Sequence, residues 1–161
     1  MVFVTPEQQK EMDKKLILTA RKGDTQVLVD LIKTGANVNA TIGMGDTAMM
    51  GAARNGKSRV IDFLIKKGAD VNMVTRAGWS ALTYAAYSGD EESIKVLISN
   101  RAKLNQLNNV GWPPIMVAIE QNKALAVTTL IKGGADVKIM CDCFQKLLHQ
   151  SSSQKSVDIS F

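Results

Sequence analysis

The sequence predicts an all-α chain built as a stack of helical hairpins, and three observations carry that prediction. Residue identities recur at a step of 33: Gly45, Gly78 and Gly111; Ala52, Ala85 and Ala118; Leu31, Leu64, Leu97 and Leu130; Ile32, Ile65, Ile98 and Ile131. A fixed period of this length is the mark of a solenoid. Within a period, apolar residues fall at three- and four-residue steps twice over: Met49, Ala52 and Ala53 before Gly56, then Val60, Ile61, Leu64 and Ile65 before Gly68. That pattern describes two short helices and a turn. Each period also closes on a related string, Gly35-Ala36-Asn37-Val38-Asn39, Gly68-Ala69-Asp70-Val71-Asn72 and Gly134-Ala135-Asp136-Val137-Lys138. Helices of about ten residues are marginal in isolation. Stacking on the next hairpin completes the core, so stability becomes a sum over neighbouring interfaces.

The 161 residues, 45% hydrophobic and 22% charged, suit one domain, with Ala, Val, Leu, Ile and Met building the core because aromatics make up only 5%. The first unit, 5–40, opens with Thr5 as N-cap and Pro6 at the first helical position. Lys10, Glu11, Asp13, Lys14 and Lys15 give its helix a solvated outer face, as a terminal capping unit requires. The second unit, 41–73, starts its first helix at Thr47, and the third, 74–106, at Ser80; both hydroxyls can cap, a contribution of about 1 kcal/mol each. The third unit departs at its end, where Arg101 replaces the glycine and would strain a left-handed backbone position. The fourth, 107–139, has Pro113-Pro114 at the helix start and so lacks the hydroxyl. Asp142 to His149 then reads as the first helix of an incomplete fifth unit, 140–150. The polar, Ser-rich 151–161 is a tail.

The order of residues resembles the ankyrin repeat: Gly, a Thr-Pro-Leu-His-like helix start, Ala-Ala, Gly, then Val-x-x-Leu-Ile-x-x-Gly-Ala-x-Val-Asn. Gly45-Asp46-Thr47-Ala48-Met49-Met50-Gly51-Ala52-Ala53-Arg54-Asn55-Gly56 is the best copy, followed by Gly78 to Gly89, and the resemblance runs from about Met12 to Ile139. It implies a solenoid of helix-turn-helix hairpins joined by β-turn or hairpin loops. The His of the motif is Met50, Thr83 and Met116 in successive copies, so the family's Thr to His hydrogen bond is missing and some stability is forfeited.

Several function classes find no support. The apolar runs are broken every few residues, so no stretch of about 20 could cross a bilayer. The N-terminus lacks the basic and apolar regions of a secretory signal. A cytoplasmic address, or a nuclear one, is the expectation, and the chain is expected to be a monomer. Cys141 and Cys143 are too close in sequence to pair without strain. The net charge of +5 comes from Lys and Arg spread through the chain, not from the concentrated stripe that nucleic acid demands. No cofactor and no catalytic residue is expected. His149, the only histidine, falls at a helix-start position. Cys141, Cys143 and His149 lack the spacing and the fourth ligand of a metal site. Gly43-Met44-Gly45 is a turn with no strand before it, and Asn39-Ala40-Thr41 fits a glycosylation pattern by chance. Met49, Met50 and Met116 read as core. The terminal Ile159-Ser160-Phe161 offers only a weak match to a strand-adding carboxyl-terminal ligand.

The resemblance implies a concave binding face made of hairpin tips and the exposed side of each first helix. By register the tips supply Met44 and Asp46, then Arg76, Ala77 and Trp79, then Asn109, Val110 and Trp112. The helices supply Arg21 and Lys22, Arg54 and Asn55, Tyr87 and Ser88, and Glu120 and Gln121. Trp79 and Trp112 follow equivalent glycines, which places their indoles about 10 Å apart if layers pack as helices do. Interface hot spots favour Trp, Tyr and Arg. Trp79, Trp112 and Tyr87, flanked by Arg21, Arg54 and Arg76, are therefore the expected anchor for a protein or peptide with acidic residues beside an apolar one. The expected function is non-enzymatic: an adaptor, scaffold or inhibitor. The alternative is a regulatory or targeting domain of a larger enzyme or channel, against which Met1 and the capped start argue.

Overall fold

The computed structural model describes residues 3–139 together with Gln145. The expectations for Cys141, Cys143, His149, the partial fifth unit and the tail lie outside those residues. Within them the chain forms eight helices in four hairpins: α1 (Pro6–Lys22) with α2 (Thr25–Lys33), α3 (Ala48–Arg54) with α4 (Ser58–Lys66), α5 (Ala81–Ser88) with α6 (Glu91–Ser99), and α7 (Pro114–Glu120) with α8 (Ala124–Lys132). The first helices make one row, α1 on α3 on α5 on α7; the second helices make another, α4 on α6 on α8.

Local chemistry sets where each inner helix begins. Thr5 closes a capping box with Gln8, and Pro6 follows at the first position of a 17-residue α1. Thr47 Oγ1 accepts from Met50 N at 3.2 Å. Ser80 Oγ accepts from Thr83 N at 3.2 Å while Thr83 Oγ1 accepts from Ser80 N at 3.3 Å. The third unit thus recovers, through Thr83, a side-chain bond at the position where the motif's histidine would stand. Pro113 caps α7 without any side-chain bond.

Ala52, Ala53, Ala85, Ala86 and Ala118 are fully buried, and their small volume lets the inner helices approach closely. Leu28, Ile61, Leu64, Ile94, Leu97 and Leu130 fill the space towards the outer row, with Met49, Met50 and Met116 also buried. The core is one continuous stripe, as stacked repeats require.

Two sets of polar joints tie unit to unit. On the outer-row side, Asn39 Oδ1 accepts from Asp70 N at 2.8 Å, Asn72 Oδ1 from Lys103 N at 2.8 Å and Asn105 Oδ1 from Asp136 N at 2.9 Å. Within the first unit, Asp13 Oδ1 likewise accepts from Asn37 N at 2.7 Å. Asn39 and Asn72 also donate to the carbonyls of Gly68 and Arg101 at 3.3 and 3.2 Å. At the tips, Arg76 N donates to Met44 O at 2.9 Å and Asn109 N to Ala77 O at 3.0 Å. Gly78 makes the second tip joint feasible: its φ is +77°, and a Cβ there would lie 2.9 Å from Asn108 Cα. The tips themselves are tight turns, with isolated bridges pairing Ile42 with Asp46 and Val74 with Ser80, and no strand forms among the described residues.

Candidate functional site

Two equivalent positions recur along the inner helices, one turn apart, the earlier of them buried in the second and fourth units. The later position is Arg21, Arg54, Tyr87 and Glu120; the earlier is Leu18, Gly51, Tyr84 and Val117. Residues three apart share a helix face, so both sets look the same way as the hairpin tips. Gly51 leaves a gap in the earlier set, and the Arg21 stem lies across it: a Cβ at Gly51 would sit 2.6 Å from Arg21 Cγ.

Trp79 is positioned by its turn, where Thr75 N donates to Trp79 O at 2.9 Å and Thr75 Oγ1 accepts from Trp79 N at 3.1 Å. Its ring then packs on two tyrosines of α5, Tyr84 at 5.0 Å and Tyr87 at 5.8 Å between centroids, at 51° and 60°. Tilted contacts of this kind suit the ring quadrupoles. Tyr84 also donates from its hydroxyl to Asp46 Oδ1 at 3.3 Å, tying the tip of the second unit to the third. Burial, and then the Asp46 carboxylate, push the Tyr84 phenol above its ordinary value; Arg54 and Arg21 pull it back.

These groups surround an open pocket of about 390 Å³ lined by Met44, Asp46, Arg54, Thr75, Ala77, Trp79, Tyr84 and Tyr87. Six residues expected from the sequence, Met44, Asp46, Arg54, Ala77, Trp79 and Tyr87, therefore meet at one place. Arg21 stands in the neighbouring layer, its stem over Gly51, and does not line the pocket. Tyr84 was missed by sequence reasoning, although its position one turn before Tyr87 carries the signal. Trp112 is half-buried and outside the pocket, its backbone paired with Asn108, whose Oδ1 accepts from Trp112 N at 3.0 Å. Asn109 spends its side-chain N–H on the Arg76 carbonyl at 2.7 Å and so joins two tips. Val110 is 71% exposed at the next tip. Arg76 and Glu120 are exposed beyond the pocket rim.

The arginines matter for what the site can attract. Ion pairs among the described residues join Lys66 to Asp62 and Lys95 to Glu91 and Glu92 on outer helices, and none involves Arg21, Arg54 or Arg76. No three His, Cys, Asp or Glu side chains converge as a metal would require among those residues. No helix among them is long and apolar enough to cross a membrane.

A family model described as "Ankyrin repeats (3 copies)" matches residues 16–108 and 70–141. No curated protein matches the chain.

Proposed function

Because this chain belongs to the ankyrin-repeat family, whose members are generally protein–protein interaction modules, we propose that it is a non-enzymatic adaptor, scaffold or inhibitor binding a partner on its concave face. The observation that carries the reading is the pocket in which Trp79, Tyr84 and Tyr87 stand beside Met44 and Arg54. Rigid aromatic walls around an apolar recess are the surroundings in which one partner side chain can contribute most of the binding energy. Arg21, Arg54 and Arg76, without carboxylate partners among the described residues, favour acidic residues next to that anchor. On this reading the module works as a monomer in the cytoplasm or nucleus, on a partner that is a protein or peptide.

The test is capture from cell extract by the wild type beside Arg54→Ala/Tyr87→Ala, two exposed positions whose truncation is expected to leave the melting temperature near that of the parent, which a thermal melt checks first. Proteins held by the parent and lost by the variant support the pocket as the site. Capture that is unchanged in the variant overturns it, and capture that favours basic over acidic competitor peptides overturns the charge preference.

A further inference from the structure

Resting on that reading of the concave face, we infer that the face reads a charge order: it takes an extended partner segment with acidic residues on one side of an apolar anchor and basic residues on the other. The inner helices grade in charge along the stack. Arg21 and Lys22 stand in the first unit, Arg54 and Asn55 in the second, Tyr87 and Ser88 in the third, Glu120 and Gln121 in the fourth. The gradient runs from two cations through one cation and an aromatic to one anion, along a single line of equivalent positions.

Both ends are left for a partner. Among the described residues, Arg21 and Arg54 pair with no carboxylate, and the side chain of Glu120 has only the carboxamide of Gln121, at 3.0 Å, as a hydrogen-bond partner. The middle is occupied differently: Asp46 is engaged by Tyr84, and Asn55 and Ser88 bond back to the inner helices at Gly51 and Ala85, with Ser88 also reaching Ala53. Charge selection therefore acts at the pocket's edge and beyond it, through Arg54 on one side and Glu120 on the other, and the rings and Met44 between them select for apolar bulk. Layers about 10 Å apart put Arg54 and Glu120 about 20 Å from each other. That exceeds a screening length of about 8 Å, so each end acts on the residue facing it without cancelling the other. At about 3.4 Å per extended residue, one layer spans about three residues. The expected ligand thus has an acidic residue about three positions from the anchor on one side and a Lys or Arg about three positions away on the other.

A displayed library of random 12-residue peptides, selected on the full chain, tests this without presupposing a sequence. The expected consensus has an aromatic or long aliphatic anchor with acids confined to one flank and bases to the other, with the two chain directions appearing as mirror-image families. For one selected peptide, Glu120→Lys is expected to lower affinity about tenfold, and exchanging the facing peptide base for Glu is expected to restore it. Arg54→Glu is expected to be rescued likewise by a peptide acid exchanged for Lys. An anchored consensus without charge asymmetry, or reversals that no peptide exchange rescues, overturns the charge order and leaves the binding face standing. Peptides whose capture survives Trp79→Ala/Tyr87→Ala, or a selection that enriches nothing, overturn the face itself and the charge order with it.

Discussion

Arg101 holds a φ of 65°, the left-handed conformation that Gly35, Gly68 and Gly134 adopt at the same point of the other units. Its Cβ bears the steric cost of that conformation, of order 1 kcal/mol. Arg101→Gly is expected to raise stability by about that amount, read as a shift in the urea midpoint at unchanged slope. Ser93 presents a second local conflict. Its hydroxyl is buried without a hydrogen-bond partner among the described residues, at a position filled by Val27, Val60 and Ala126 in the other units. An unsatisfied buried hydroxyl costs about 1 to 3 kcal/mol, so Ser93→Ala is expected to stabilise the chain by about 1 kcal/mol on the same assay. Tyr84 supplies the pH-dependent case. Its phenol is held above the ordinary value in the folded state, so its contribution to stability is present below that value and fades as pH rises through the folded one. A tyrosinate absorbance titration is expected to show Tyr84 ionising later than a free phenol, and Asp46→Asn to lower it part of the way, leaving the larger effect of burial. The Arg101 strain could be read from the repeat register alone. The Ser93 conflict could not, because a serine in an apolar helix finds or lacks a partner only once its neighbours are placed.

Between elements, the joints and the helix rows divide the work. Asn72 spans the second and third units with two hydrogen bonds, to Lys103 N and Arg101 O. Asn72→Ala removes both, and a loss of about 2 kcal/mol is expected in chemical denaturation. The helix starts were legible because capping hydroxyls and proline act locally: Thr5, Thr47 and Ser80 cap as their residue types dictate. The site was legible in part for the same reason. Register alone gathers Arg54, Tyr87 and the tip residues on one face, but it weights every unit alike. It could not show that the rings gather in the third unit while Trp112 stays apart, since that depends on Tyr84 standing where Gly51 and Val117 stand elsewhere.

Across the whole molecule, the inner row is the better sandwiched. Helices α3 and α5 each have an inner helix on both sides and an outer helix behind, whereas α2 rests chiefly on α1 and makes little contact with α4. A cleft of about 330 Å³ opens there, lined by Gly23, Thr25 and the residues from Gly56 to Val60. In native-state hydrogen exchange the amides of α3 and α5 are expected to be the slowest and those of α2 among the fastest. Protection that is uniform along the stack would mean that the units unfold only together.

The asparagine joints also set which sequence changes the chain can absorb. On one side of each joint the acceptor is a carboxamide, and only Asn39, Asn72 and Asn105 carry it; on the other side the donor is the main chain at Asp70, Lys103 and Asp136. Every amino acid except proline brings that donor. Lys103, standing where the flanking units have aspartate, already uses the liberty. For this bond, mutational drift is therefore cheap at the main-chain donor and costly at the carboxamide acceptor, so two residues thirty-one apart that share it face opposite tolerances.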